Sequence, residues 1–263
     1  MLAPMTGPKR IVCLTEESTE TLYALGEEHR IVGISAYTVR PPEARDTKPV
    51  VSAFIGGSVK KIAALEPDLV IGFSDIQADL ARDLIRAGLN VLVFNQRSVA
   101  EICDVVLTLG RIVDAGPRAE ALVQGYREHI EAVRVRVDGR KRPRVYFEEW
   151  LDPTITGIRW VSELIESAGG DDVFADRSVG AMAKERFVTT DEIVVRDPEV
   201  YIASWCGEPF DRGAALGRPG MGDIAAARSN RIHEMDPAII LQPGPAALTD
   251  GLEALVALIH PSA

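Results

Sequence analysis

The sequence predicts an α/β protein of two lobes, each a parallel sheet covered by helices, bridged by a single long α-helix. Three observations carry this. Short apolar runs alternate with helical stretches through both halves, an unbroken helical pattern of about 22 residues lies near the middle, and one helix–turn–strand unit recurs in each half.

In the first half, Ile11-Val12-Cys13-Leu14 is a short apolar run that reads as a buried strand. Thr15 to Gly26 follows as a helix, with Thr15 or Ser18 as cap, the acids Glu16, Glu17 and Glu20 at its positive end, and Gly26 as its stop. Ile31 to Ile34 is a second strand, and Tyr37 to Pro49, rich in proline and polar residues, reads as a loop. Ser58 to Leu65 is a short helix closed by Pro67. Leu69 to Gly72 is a strand, Ala78 to Ala87 a helix stopped by Gly88, and Val91 to Phe94 another strand. Strands separated by helices and short connections make a parallel sheet.

Ser98 to Ala115 reads as a helix, broken by Gly116-Pro117. From Pro117 to Asp138 the apolar set is Ala119, Leu122, Val123, Tyr126, Ile130 and Val133, at offsets 0, 3, 4, 7, 11 and 14, one face of a helix. At 1.5 Å per residue it is a rod of roughly 33 Å, long enough to serve as a spine between lobes. The second half repeats the alternation: strand Val145 to Phe147, helix Ser162 to Ala168, helix Thr190 to Val195, strand Val200 to Ala203, helix Ile224 to Arg228, strand Ile232 to Met235 and closing helix Leu248 to Ile259. Lys61 to Gly72 resembles Asp191 to Ile202, each a short helix, a Pro-acid turn and an apolar strand, so both lobes share a Rossmann-like plan. The predicted divisions are 1–116 for the first lobe, 117–140 for the bridging helix and 141–263 for the second.

Composition excludes several function classes. Of 263 residues, 46% are hydrophobic and 26% charged, an ordinary globular balance. The 39 acids against 29 bases leave a net charge of -10, which argues against nucleic acid and against an anionic membrane surface. No window approaches the ~20 apolar residues of a membrane span. Cys13, Cys103 and Cys206 form no CxxC pair, so neither a zinc site nor a disulfide framework is expected. His29, His129, His233 and His260 lack HExxH or HxH spacing, and no GxSxG elbow or phosphate-binding GxxxxGK[ST] loop occurs. Gly220 to Ala225 has the form GxGxxA but follows Arg218-Pro219 rather than a strand, which removes the dinucleotide reading. Read from Met1 with no visible leader, the chain is cytoplasmic; with a leader removed, it is periplasmic. A monomer with no intrinsic cofactor or metal is expected.

The candidate site residues gather at strand ends. Tyr37, Phe54, Phe73, Trp150 and Trp205 each lie at or just beyond the end of an apolar run, where open parallel sheets bind ligands. Aromatic faces with a few polar neighbours suit a large, flat, partly apolar ligand, and the polar neighbours are Arg40, Ser74, Asp75, Glu149, Arg159 and Gln242. Glu148 and Glu149 are adjacent acids on a strand and point to opposite faces, so one alone can enter a shared cleft. Cys206, after a strand, is a metal ligand, a redox thiol or an idle thiol.

Arg10 to Thr15, Thr19-Glu20, Leu25-Gly26, Ile31 to Tyr37, Pro41-Pro42 and Ile62 to Ile71 together resemble the vitamin B12-binding proteins of bacterial ABC importers. More broadly they resemble the helical-backbone class of substrate-binding proteins, which also take haem and iron siderophores. The resemblance spans nearly the whole chain and includes the central helix, Ala168-Gly169-Gly170 and Asp191 to Pro198. It implies two rigid lobes with a shallow cleft, a large metal chelate bound without catalysis, and ligand-facing aromatics at Tyr37, Phe54 and Phe73. The last two are tryptophans in a well-known member of that family. It also implies docking on an ABC permease through one acid on each lobe. Asp191 keeps that acid on the second lobe; Lys60, followed by Lys61, reverses the charge on the first. Three readings follow: a binder of cobalamin or a related chelate, the substrate-binding subunit of a haem or ferric-siderophore importer, and a cytoplasmic enzyme using Cys206 and Glu149.

Overall fold

The computed structural model describes residues 7–53 and 55–261. The chain divides into two compact units. One runs to Gln96 and resumes over Ala100–Gly125; the other takes Arg97–Val99 and everything from Tyr126.

The first unit is built on strands β1 (Ile11–Cys13), β2 (Ile31–Ser35), β3 (Val50–Ser52), β4 (Leu69–Phe73) and β5 (Val91–Phe94), in the spatial order β3-β2-β1-β4-β5. Every neighbouring pair is parallel, with Cys13 opposite Ile71 and Phe73 opposite Phe94. Val12, Leu14, Val51, Ile62, Val70, Leu80 and Leu84 pack one face of this sheet against its helices. Gly26 and Gly88 stop their helices in the left-handed conformation, at φ 69° and 84°. The stretch expected as a loop, Tyr37 to Pro49, contains a one-turn helix, Glu43–Thr47, and leads into β3. β3 is three residues after a proline, too short to show periodicity, and exists through pairing with β2.

The second unit has β6 (Arg144–Trp150), β7 (Ile155–Thr156), β8 (Asp171–Asp172), β9 (Val200–Ala203) and β10 (Ile232–Glu234). The path β10-β9-β6 is parallel. β8 pairs in parallel with the start of β6, and β7 pairs antiparallel with its end. Neither two-residue strand was anticipated from the sequence. The two repeated segments have matching local structure: helix Val59–Ala63 leads to β4, and helix Thr190–Arg196 leads to β9. Glu66 and Asp197, each just before its proline, both take positive φ. The Gly220–Ala225 motif lies on a short helical turn, Met221–Asp223, with no strand before it.

Helix Gly116–Val137 contributes its first ten residues to the first unit and the remainder to the second. Ala119, Val123, Tyr126, Ile130, Val133 and Val137 are buried along it, alternating four and three residues apart, so the stripe read from sequence is the packed face. Within the first unit, helix Val99–Ile112 approaches it so closely that a Cβ at Gly110 would lie 2.3 Å from the Ala119 Cβ. Replacing Gly110 with Val is therefore expected to cost about 1–3 kcal/mol through overpacking, read as a lowered urea midpoint with an unchanged slope.

Candidate ligand-binding edges

Parallel pairing brings the carboxyl ends of β1, β2, β3 and β4 to one edge of the first sheet. Tyr37 stands there on a turn after β2, with 49% of its surface exposed. Thr38 N–H donates to Ser35 O at 3.1 Å, Val39 N–H to Glu16 Oε2 at 3.2 Å, and Arg40 Nε to Glu20 Oε1 at 3.2 Å. The turn is thus stitched to its strand and to helix Glu16–Ala24. Arg40, expected as a ligand group, spends its charge on Glu20. Phe54 lies outside the described residues. Phe73, expected to face a ligand, ends β4 at 7% exposure and is largely core. Ser74 takes φ 56°; its N–H donates to Phe94 O and its hydroxyl accepts from Ile76 N–H. Ser74 and Asp75 begin an open, mainly apolar groove of about 650 Å³ that runs along Ala78, Ala81, Ile85 and Val93.

The acids opening helix Glu16–Ala24 are not solvated. Glu16 and Glu17 are buried, and Thr15, at the cap position, donates its hydroxyl to Glu17 Oε1 at 2.6 Å instead of capping. Glu16 Oε1 and Glu17 Oε2 have no hydrogen-bond partner. Burial, reinforced by the neighbouring charge of Glu20, pushes Glu16 up to about 8 and Glu17 up to about 7.

In the second unit, β6 and β9 end side by side. Glu148 is fully buried and accepts from Tyr146 Oη at 2.6 Å, Tyr201 Oη at 2.6 Å and Trp205 Nε1 at 3.1 Å. Arg218 Nη2 closes the set, 2.8 Å from Glu148 Oε2. Trp205 is therefore a correction to its expected place. At 5% exposure it packs edge-on to Phe210 in the core and belongs to the Glu148 network, because that carboxylate needs its indole N–H. Glu149 points the other way, as alternation requires, and is also spoken for: Arg186 Nη1 lies 2.7 Å from Oε2, and Ile158 N–H donates to Oε1 at 2.7 Å. Neither carboxylate of the pair is left to solvent.

Trp150 ends β6 half-buried, with its indole N–H on Asp152 O at 2.9 Å. Arg159 opens helix Arg159–Ser167 and pairs with Glu163 at 2.8 Å. Gln242 follows the short helix Pro237–Ile240, its carbonyl accepting from Gly244 N–H. Cys206 is half-buried, and burial together with the Glu149 carboxylate raises its thiol. The thiolate a nucleophile or metal ligand needs is disfavoured there. Cys13 and Cys103 are buried thiols, and among the described residues no cluster of His, Cys, Asp and Glu could hold a metal ion. Asp191 and Lys60 are both exposed, on helices Thr190–Arg196 and Val59–Ala63. No helix among the described residues is long and apolar enough to cross a membrane. Sequence reasoning missed Glu16 and Glu17, whose first-turn positions suggested solvent, and Arg186, which no motif marks.

Each of the two α/β units presents aromatic and hydrogen-bonding side chains at the carboxyl edge of its sheet, the arrangement of a ligand-binding protein. The chain belongs to the periplasmic binding protein family, whose model matches residues 11–239. It is 26% identical over 265 residues to an uncharacterised ABC transporter substrate-binding lipoprotein of Bacillus subtilis, covering 97% of this chain and 81% of that one. It is 24% identical over 253 residues to the vitamin B12-binding protein of Vibrio parahaemolyticus, covering 93% and 87%. Among solved structures, the periplasmic heme binding protein of Pseudomonas aeruginosa superposes with a TM-score of 0.82 at 22% identity, over 97% of this chain and 94% of that one, a likeness of fold.

The raised carboxyls make stability fall with pH. The native state holds protons at Glu16 and Glu17 that the unfolded chain has released above its ordinary carboxyl range. That contribution is full below about 4.5 and is lost as pH rises through about 7 and 8. Glu27, Glu192 and Glu199 are held low and titrate below this window; Glu27 by Arg30 and Arg118, Glu192 by its Thr189 contacts, Glu199 by Lys141. The thermal midpoint is expected to drop between pH 5 and pH 9, and the double change Glu16→Gln, Glu17→Gln to flatten that slope.

Proposed function

We propose that this protein binds cobalamin, or a closely related large metal chelate, at the carboxyl edges of its sheets and releases it chemically unchanged. The observation that carries the reading is Tyr37. A large aromatic ring stands half-exposed at the ligand edge of a parallel sheet, on a turn held by Ser35, Glu16 and Glu20. A preorganised aromatic loses little freedom on stacking against a flat ligand. Trp150 is the corresponding strand-end aromatic of the second unit. Relatives named for vitamin B12 and a fold shared with a heme-binding protein support the same ligand class. Ser74, Asp75, Gln242 and Arg159 supply polar contacts in this reading. Phe73, Trp205, Arg40 and Glu149 are assigned to holding the edges in shape.

The enzyme reading with Cys206 and Glu149 has less support, since the thiol is raised and the carboxylate is committed to Arg186. The importer reading keeps one supporting observation: Asp191 is exposed and free to meet a permease arginine, while Lys60 presents the opposite charge.

Fluorescence titration with cyanocobalamin, haemin and a ferric siderophore tests the proposal. Micromolar or tighter binding of one of them is expected, with the ligand recovered intact by chromatography. Tyr37→Ala is expected to weaken it roughly tenfold, the effect of losing an aromatic anchor. Binding of none at micromolar concentration rules the reading out. A product whose formation Cys206→Ala abolishes would establish the enzyme instead.

A further inference from the structure

The sheets end on four edge strands, and one of them is left open. β3, at one edge of the first sheet, follows Lys48-Pro49 and pairs with β2 through an irregular register. The second sheet ends on β10 and β7, of three and two residues. β5 has none of the devices that blunt an edge strand. It carries no charge and no proline, and its register with β4 is unbroken from Val70–Val91 to Phe73–Phe94. Among the described residues β4 is its one strand partner. Val70 N–H donates to Asn90 O and Ser74 N–H to Phe94 O, so alternate residues of β5 bond inward, and Val91 and Val93 direct their N–H and C=O groups away from the sheet. Val93 is 40% exposed and Ile85, beside it on helix Ala78–Arg86, 60%. Val93 shares the open groove described above with Ala78, Ala81, Arg82, Ile85 and Arg86, which are spaced as one face of that helix.

The charges on the helix say what covers this edge. In Asp79-Leu-Ala-Arg82-Asp83-Leu-Ile-Arg86, reversing the direction of reading puts a base wherever there was an acid: Asp79 exchanges with Arg86, and Arg82 with Asp83. Two copies of the helix lying antiparallel therefore set Asp79 of each against Arg86 of the other, and Arg82 against Asp83. Within one chain Arg82 pairs with Asp79 at 2.8 Å and with Asp83 at 3.1 Å. These pairs are exposed and contribute little, so exchanging them for pairs across an interface costs little. Antiparallel pairing of β5 with its own copy needs the same two-fold axis. Leu92 then lies opposite itself, and Val91 of each copy exchanges hydrogen bonds with Val93 of the other. The rotation that pairs the strands also lays the two helices antiparallel on one face of the joined sheet.

We propose that the chain forms a two-fold dimer through β5 and helix Ala78–Arg86, joining two five-stranded sheets edge to edge. A second copy satisfies the outward backbone groups of Val91 and Val93, covers Val93 and Ile85, and matches each helix charge with its opposite. The two-fold axis uses each open edge once, so the assembly closes at two copies instead of growing. The dimer takes the place of the monomer expected from the sequence, and it does not depend on which ligand the protein binds.

Sedimentation equilibrium of the intact protein tests this, with a dimer of Kd on the order of 10 μM or tighter expected. Asp79→Arg and Arg86→Asp each oppose like charges, and each is expected to raise that Kd roughly tenfold or more, whereas the double variant is expected to return it to within about threefold. Asp79 and Arg86 lie two helical turns apart, about 10 Å, so recovery in the double variant reports pairing between chains. Val93→Pro removes an outward N–H, a change an edge strand tolerates, and is expected to abolish the dimer with the circular dichroism unchanged. As an independent measurement, amide exchange at Val91 and Val93 is expected to slow several-fold as protein concentration is raised through the Kd. A chain that stays monomeric at roughly 100 μM overturns the proposal and leaves an extended segment of another protein as the occupant of the edge. A dimer whose Kd neither charge reversal moves, and whose Val91 and Val93 amides exchange at the monomer's rate, uses another face and also overturns it.

Discussion

Parallel strand pairing is the constraint from which the candidate site follows. Where β1, β2 and β4 lie side by side in one direction, their carboxyl ends coincide, and the residues that leave each strand meet at one edge. Tyr37, Ser74 and the acids after β1 are far apart in sequence and share that edge for this reason alone. The same rule places Glu149, Trp150 and Cys206 together at the ends of β6 and β9. An antiparallel meander of the same strands would send alternate connections to opposite ends and scatter these groups.

Glu148 and the Glu16–Glu17 pair are buried in opposite ways. Glu148 sits at the centre of the second core and meets two tyrosine hydroxyls, an indole N–H and a guanidinium, so its charge is compensated from several sides. That completeness draws Trp205 inward and fixes Arg218. Glu16 and Glu17 have one hydrogen bond apiece to a neutral donor and no cation as close as Arg218 is to Glu148. Their burial is relieved by holding protons, and the turn bearing Tyr37 hangs from one of them. Glu148 is thus held by charge pairing, whereas the state of Glu16 and Glu17 depends on pH.

Much of the architecture is legible in the sequence because apolar runs and helical periodicity are local. β5 and β9 have the bounds that the runs Val91 to Phe94 and Val200 to Ala203 show, and the stripe from Ala119 to Val133 marks the packed face of the long helix. Strand ends are legible for the same reason, which is why residues near the carboxyl edges were identifiable before any contact was known. β3, β7 and β8 were not legible: two or three residues carry no period, and partners distant in sequence hold them in place.

By itself the sequence determined the alternation of strands and helices, the two-unit plan and the resemblance to substrate-binding proteins, and it marked the carboxyl edge of each sheet as the candidate site. Tertiary structure alone decided which residues at those edges remain available. Phe73 and Trp205 turn into cores, and Arg40 and Glu149 are taken by partners. The physical reason is that exposure and pairing depend on what the rest of the chain brings within a few ångströms, and no local pattern in the sequence encodes those neighbours.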